Sequence, residues 1–136
     1  MIKKALNKIL RPAGFDTTLT TREIGQNTEQ LAKAYLVEKG LKVHTQNYRC
    51  QHGEIDLIMR DADCWTFIEV RYRNSVQFGG GIESVDSRKQ KKLIRTAEHF
   101  MLTHTDEFDS CRFDVIAMSG PLKRVKIEWI QDAFVS

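Results

Sequence analysis

The sequence predicts an α/β domain in which helices pack on a central mixed sheet, and three observations lead there. Two segments carry apolar residues at helical spacing, five carry the alternation of strands, and they follow one another as helix, three strands, helix, two strands. At 136 residues, one core is the economical expectation.

The elements follow in order. Residues 1–21, opening "MIKKALNKILRPAGF" and continuing through a Thr-rich stretch with Pro12 and Gly14, read as a basic N-terminal arm, with a short amphipathic helix for a membrane surface or partner as the alternative. The domain proper is expected over 22–136. Its first helix runs from about Arg22 to Lys39, where Ile24, Leu31, Ala32, Tyr35 and Leu36 form an apolar stripe and Gly40 ends it. "LKVHTQNYR" alternates as a strand, and "GEIDLIMRDADCWTFIEVRYR" reads as a hairpin turning at "DADC". A loop with three consecutive glycines, Gly79 to Gly81, leads into a second helix in "VDSRKQKKLIRTAEHFML". Asp86 or Ser87 is its N-cap, and Ile94, Ala97 and Met101 are its expected buried side. "CRFDVIAM" and "VKIEWIQ" supply two last strands around "SGPLK".

Composition narrows the function classes. Apolar residues make up 41% and charged residues 29%, which excludes general disorder, and a net charge of +3 permits a polyanionic partner without requiring one. Cys50, Cys64 and Cys111 form neither a disulfide framework nor a zinc pattern, so a reducing cytoplasm is expected. No run has signal-peptide or membrane-spanning character, so no transmembrane segment is expected.

The hairpin carries two acids where its pattern calls for hydrophobes. Alternation puts Trp65, Phe67, Glu69, Arg71 and Arg73 on one face and Ile68, Val70 and Tyr72 on the other. If the turn pairs Arg60 with Trp65, counting back sets Asp56 opposite Glu69. Facing carboxylates repel, and a shared proton, a neighbouring basic side chain or a hard divalent cation such as Mg2+ or Mn2+ would relieve them. Glu29 lies at the edge of the first apolar stripe and either leans toward this pair or stays solvated. Gln90 falls in line with Ile94, Ala97 and Met101, as a structural or a site-lining amide. Arg88, Lys89, Lys91, Lys92 and Arg95 concentrate positive charge on the second helix, while Arg49, Arg60, Arg71 and Arg73 cluster about the hairpin. Such a run is either a solvated face or a grip for a phosphate backbone. The triple glycine either admits a phosphate closely or simply connects.

Taken together, Glu29 in a GxxxE helix, "GEIDLI", "FIEVRYR", a basic helix with Gln90, "CRFDVIA" and "EWIQDAF" resemble the YraN family of small bacterial proteins. The match spans roughly Arg22 to Phe134. That family resembles the PD-(D/E)xK, restriction-endonuclease-like superfamily, similar in plan to archaeal Holliday-junction resolvases. The resemblance implies a restriction-endonuclease-like sandwich and a Mg2+- or Mn2+-dependent DNA endonuclease acting on branched or damaged DNA. It implies Asp56, Glu69 and the Val70 carbonyl as metal ligands, Glu29 as a supporting acid and Arg71 in place of the superfamily lysine. Arg73, Arg88, Lys89, Gln90 and Lys92 would then hold the nucleic acid. A homodimer would suit the two equivalent strands of a four-way junction. Because a guanidinium stays charged, Arg71 is a poor base, which keeps open a noncatalytic nucleic-acid-binding or partner-recruiting module. A scaffold acting in DNA processing or envelope-linked assembly through the N-terminal arm is a third reading.

Overall fold

The structure, a computed structural model, describes residues 20–73, 85–104 and 110–135. The N-terminal arm up to residue 19 and the triple-glycine loop lie outside them. Helix α1 spans Thr21–Glu38, one residue earlier than expected. Thr20 caps it through a capping box: its hydroxyl accepts from the Glu23 N–H at 3.1 Å, and its own N–H donates to Glu23 Oε2 at 3.3 Å. The helix closes where Gly40 takes φ 102° and the Leu41 N–H returns to the Leu36 carbonyl at 3.0 Å.

Strands β1 (Lys42–Cys50), β2 (Gly53–Asp61) and β3 (Cys64–Arg73) precede helix α2 (Ser87–His104). Strand β4 (Cys111–Ser119), a short 3-10 turn at Leu122–Arg124 and β5 (Lys126–Phe134) complete the chain. The five strands lie side by side in chain order, antiparallel throughout except between β3 and β4, which α2 connects as a crossover. This mixed sheet with two helices is an α/β fold consistent with a restriction-endonuclease-like sandwich.

Each helix covers one sheet face. Leu31, Ala32 and Leu36 of α1 pack with Leu57, Met59, Ile68, Ile116 and Met118. Leu93, Ala97 and Phe100 of α2 pack with Ile55, Ile58, Trp65, Phe67 and Val115. The division of β3 into two faces is therefore as its alternation predicts.

Two expectations need correction. The hairpin does pair Arg60 with Trp65, but Asp61 also pairs with Cys64, leaving a two-residue turn at Ala62 and Asp63 rather than a four-residue loop. Ala62 at φ 53° supplies the left-handed residue that matches so tight a turn to the strand twist. On α2 the buried stripe is Leu93, Thr96, Ala97 and Phe100, while Ile94 and Met101 are only partly buried at its edge. The stripe is rotated by about one residue, roughly 100°, from the expected one. Thr96 reads as polar in sequence, yet it is fully buried with its hydroxyl donated to the Lys92 carbonyl at 2.7 Å.

A second acid is buried inside the sheet, in β4 beside Ile68. Asp114 in β4 is 1% exposed, and its oxygens accept from Arg112 Nε at 3.1 and 3.2 Å, from Trp129 Nε1 at 2.9 Å and from the Asp132 N–H at 2.9 Å. Asp132 takes φ 51°, and the β4–β5 register shifts between Phe113 and Val115, so an irregularity in β5 turns an amide inward onto this carboxylate.

Candidate metal centre

The site begins where the sheet forks. Pairing of β2 with β3 ends at Leu57 opposite Ile68, whereas β3 stays paired with β4 from Trp65 to Arg73. Past that last pair, the Val70 N–H donates to Asp56 Oδ2 at 2.8 Å, a side chain standing in for the departed strand. Since the N–H and C=O of one strand residue point to the same side, the Val70 carbonyl also faces the fork. Asp56 and Glu69 are thus the first residues past the last pair, as counting from the turn predicts.

Three acids line the fork, with Asp56 between the other two. Asp56 is in hydrogen-bonding contact with Glu69 from β3 and with Glu29 from α1. Burial, with the Glu69 charge and hydrogen bond, pushes the Asp56 carboxyl up to about 8, against the opposing pull of the Val70 N–H. Glu29 is raised as well, first by burial and then by the Glu54 charge. A proton shared among carboxylates is one means of relieving such crowding.

Cations surround the other side of the cluster. Glu69 is only 5% exposed, and its Oε2 meets Lys89 Nζ at 2.9 Å and Arg71 Nε at 3.4 Å. Lys89 reaches over from the first turn of α2, where its own N–H is capped by Asp86 Oδ1 at 2.9 Å. Asp86 is therefore the N-cap. Gln90 instead donates its amide to the Val85 carbonyl at 2.9 Å, tying down the entry to the helix. Arg88, Lys91, Lys92 and Arg95 line, with Ser87, an open groove of about 290 Å³ on the outer side of α2. Arg73 ends β3 and is exposed.

Asn47 and Glu54 belong to the cluster without having been anticipated as site residues. Asn47 takes φ 54° in β1, between the pairs Gln46–Leu57 and Tyr48–Ile55, and so stands opposite Asp56. With its amide oriented to donate, its nitrogen lies 3.2 Å from Glu29 Oε1 and 3.3 Å from Glu54 Oε1. The usable sequence signal was asparagine's tolerance of the left-handed conformation in a strand that otherwise alternates. Glu54 is also paired with Arg49, Nε to Oε1 at 3.3 Å.

Among the described residues no three His, Cys, Asp or Glu side chains converge as a ready metal cage. Two carboxylates and a backbone carbonyl facing one fork are nevertheless hard oxygen donors suited to Mg2+ or Mn2+. Asp56, whose carboxyl is pushed up by burial and the Glu69 charge, is the group such an ion would hold ionised, so the residues present fit the group.

Comparison with known proteins follows the same residues. The uncharacterised protein family UPF0102 matches residues 28–118, from the turn of α1 that holds Glu29 to the end of β4. A UPF0102 protein of Nitrosomonas europaea is 47% identical over 110 residues, covering 81% of this chain and 92% of its own length. One of Methylobacillus flagellatus is 47% identical over 115 residues, 83% of this chain and 97% of the relative, and one of Psychromonas ingrahamii is 49% identical over 110 residues, 81% and 88%. No helix among the described residues is long and apolar enough to cross a membrane.

Proposed function

The chain belongs to the UPF0102 family, also known as YraN, and from that premise and the acid cluster we propose that it is a metal-dependent DNA endonuclease. Its substrate would be the phosphodiester backbone of branched or damaged DNA. The observation that carries the reading is the fork at which Asp56, Glu69 and Glu29 crowd together beside a basic helix. Asp56, Glu69 and the Val70 carbonyl would hold Mg2+ or Mn2+, which when bound supplies charge to the scissile phosphate and an acidified water.

The remaining chemistry falls to the chain itself. Glu29, on Asp56's far side, orients that carboxyl and adds negative charge to the centre. Arg71, fixed on β3 two residues from Glu69, offers a permanent cation for charge developing on the phosphate. Arg88 and Lys92 in the α2 groove, with Arg73, grip neighbouring phosphates, and Gln90 holds the helix entry at the angle they need. These contacts address backbone and shape rather than base edges, in keeping with a preference for nucleic-acid structure over sequence. A homodimer would set two such forks on the two strands of a junction, and cytoplasmic residence accords with three cysteines left as free thiols.

The test is cleavage of plasmid and synthetic four-way junctions with Mg2+, Mn2+ or chelator by wild type, Asp56→Ala and Glu69→Ala. Cleavage that needs the metal and disappears in both variants is expected. Wild-type rates in either variant, after contaminating nucleases are excluded, would overturn the assignment. Arg71 in place of lysine favours a second reading, a noncatalytic nucleic-acid-binding module, and salt-sensitive DNA binding without any cleavage would select it.

A further inference from the structure

The ion pair between Lys89 and Glu69 has a place in this chemistry beyond gripping DNA. Lys89 stands at the head of the buried stripe of α2, followed at i+4, i+7 and i+11 by Leu93, Thr96 and Phe100. A position facing the sheet there calls for a hydrophobe. It carries lysine because β3 presents Glu69 beneath it, whose Oε2 lies 2.9 Å from the ammonium. Arg88, Lys91, Lys92 and Arg95 point instead into the outer groove. Lys89 therefore adjoins both the acids and the surface where phosphates would lie.

Its two ends differ in freedom. The backbone is pinned by Asp86, and the adjoining residue by the Gln90 amide on Val85. The side chain is 41% exposed on a flexible four-carbon stem, whereas the Arg71 guanidinium on the same oxygen is rooted in the sheet. We propose that Lys89 is a built-in counter-cation: it neutralises Glu69 in the metal-free protein, yields that carboxylate to the divalent ion, and passes to a DNA phosphate. This deepens the endonuclease reading and rests on it. Metal and DNA loading then become coupled through one side chain, because phosphate draws away the charge that competes with the metal. The metal-free fork is in turn kept from carrying an uncompensated buried carboxylate.

Removing a cation from beside Glu69 should raise divalent affinity while slowing cleavage. Calorimetric titration of Mn2+ into wild type, Lys89→Met and Lys92→Met, without DNA, reads the first effect, and single-turnover junction cleavage reads the second. Lys89→Met should bind Mn2+ roughly tenfold more tightly than wild type, since a unit charge within ion-pair distance is lost. It should cleave at least about tenfold more slowly. Lys92→Met, whose charge lies three residues on and on the outer face, should leave Mn2+ affinity near wild type. Lys89→Gln keeps a polar but uncharged side chain and should repeat the pattern if the Met variant folds poorly. Unchanged or weaker Mn2+ binding in the Lys89 variants, with wild type binding normally, would overturn this inference and leave the endonuclease reading standing. Absence of Mn2+ binding in wild type would overturn the metal reading itself.

Discussion

Two buried acid clusters in this small sheet are built in opposite ways. Asp114 meets donors at both oxygens: a guanidinium, an indole N–H and a backbone N–H, with Arg112 further anchored on Asp61 at 2.8 Å. Burial works against the charge of Arg112, but its bonds to Asp114 and Asp61 hold it firmly protonated. At the fork, by contrast, Asp56 has one backbone donor and two carboxylate neighbours. The first arrangement joins β4 to β5 and fixes the end of the chain. The second keeps acids crowded where β2 leaves β3, with Asp56 pushed up by burial and the Glu69 charge. A satisfied acid is explained by the fold it holds together, whereas a frustrated one requires a task.

Breaking the satisfied cluster should have the largest effect. Asp114→Ala removes one of the two carboxylates that hold Arg112 and leaves the Trp129 and Asp132 N–H groups without their acceptor, and should cost about 3–5 kcal/mol in urea unfolding. A loss below about 1 kcal/mol would mean that the cluster is not what fixes β5. Next in size is Arg71→Ala, which should slow single-turnover cleavage on the order of a hundredfold, with Mn2+ binding retained by Asp56 and Glu69. Arg71→Lys should keep activity or raise it, since an ammonium still supplies charge and can also contact the attacking water. Cleavage at the wild-type rate by the Ala variant would remove Arg71 from the mechanism.

Stability should respond to pH at the fork. The folded Asp56 carboxyl, at about 8, lies above its ordinary value of 3.8, so the folded state binds the extra proton. Its contribution is fully present below the unfolded value and is lost as pH rises through the folded one. Asp56→Asn does not titrate and escapes that loss. Without metal its melting temperature should exceed wild type by about 4 °C or more near pH 8, with the advantage shrinking toward pH 4. An advantage that grows on acidification would reverse the sign and sink the account of the cluster. Smallest is Gly25→Ala on α1. An added Cβ there meets nothing within 4 Å, so the helix should gain about 0.5–1 kcal/mol. If stability rises while junction cleavage falls, the open space at Gly25 belongs to the substrate path.

Much of this was legible in the sequence because strands count simply. Once Arg60 faces Trp65, position 56 must approach position 69, and an acid at each in an apolar run marks the candidate site. Helix α2 was harder, since Leu93 and Ile94 are adjacent hydrophobes and either could lead the buried stripe. Burial of Thr96 decided it, and a hydroxyl satisfied within its own helix leaves no mark in an apolar pattern. That one-residue rotation is why Lys89 read as a surface charge and Gln90 as core-facing. The irregularities at Asn47 and Asp132 depend on which strands become neighbours, which local pattern does not determine. Asp114 did carry the signal of the hairpin acids, an acid inside "CRFDVIA", but its donors come from β5 and only the fold brings them together.

If the fork holds its acids for a divalent cation, thermal unfolding near pH 8 with and without Mn2+ will register the ion. Wild type should melt at a temperature that climbs with Mn2+ concentration, as binding to the folded state alone requires. Asp56→Asn should start higher and stay flat. A wild-type protein indifferent to Mn2+, together with an Asp56→Asn variant that melts lower than wild type without metal, would show that Asp56 is a structural acid like Asp114 and contradict the account.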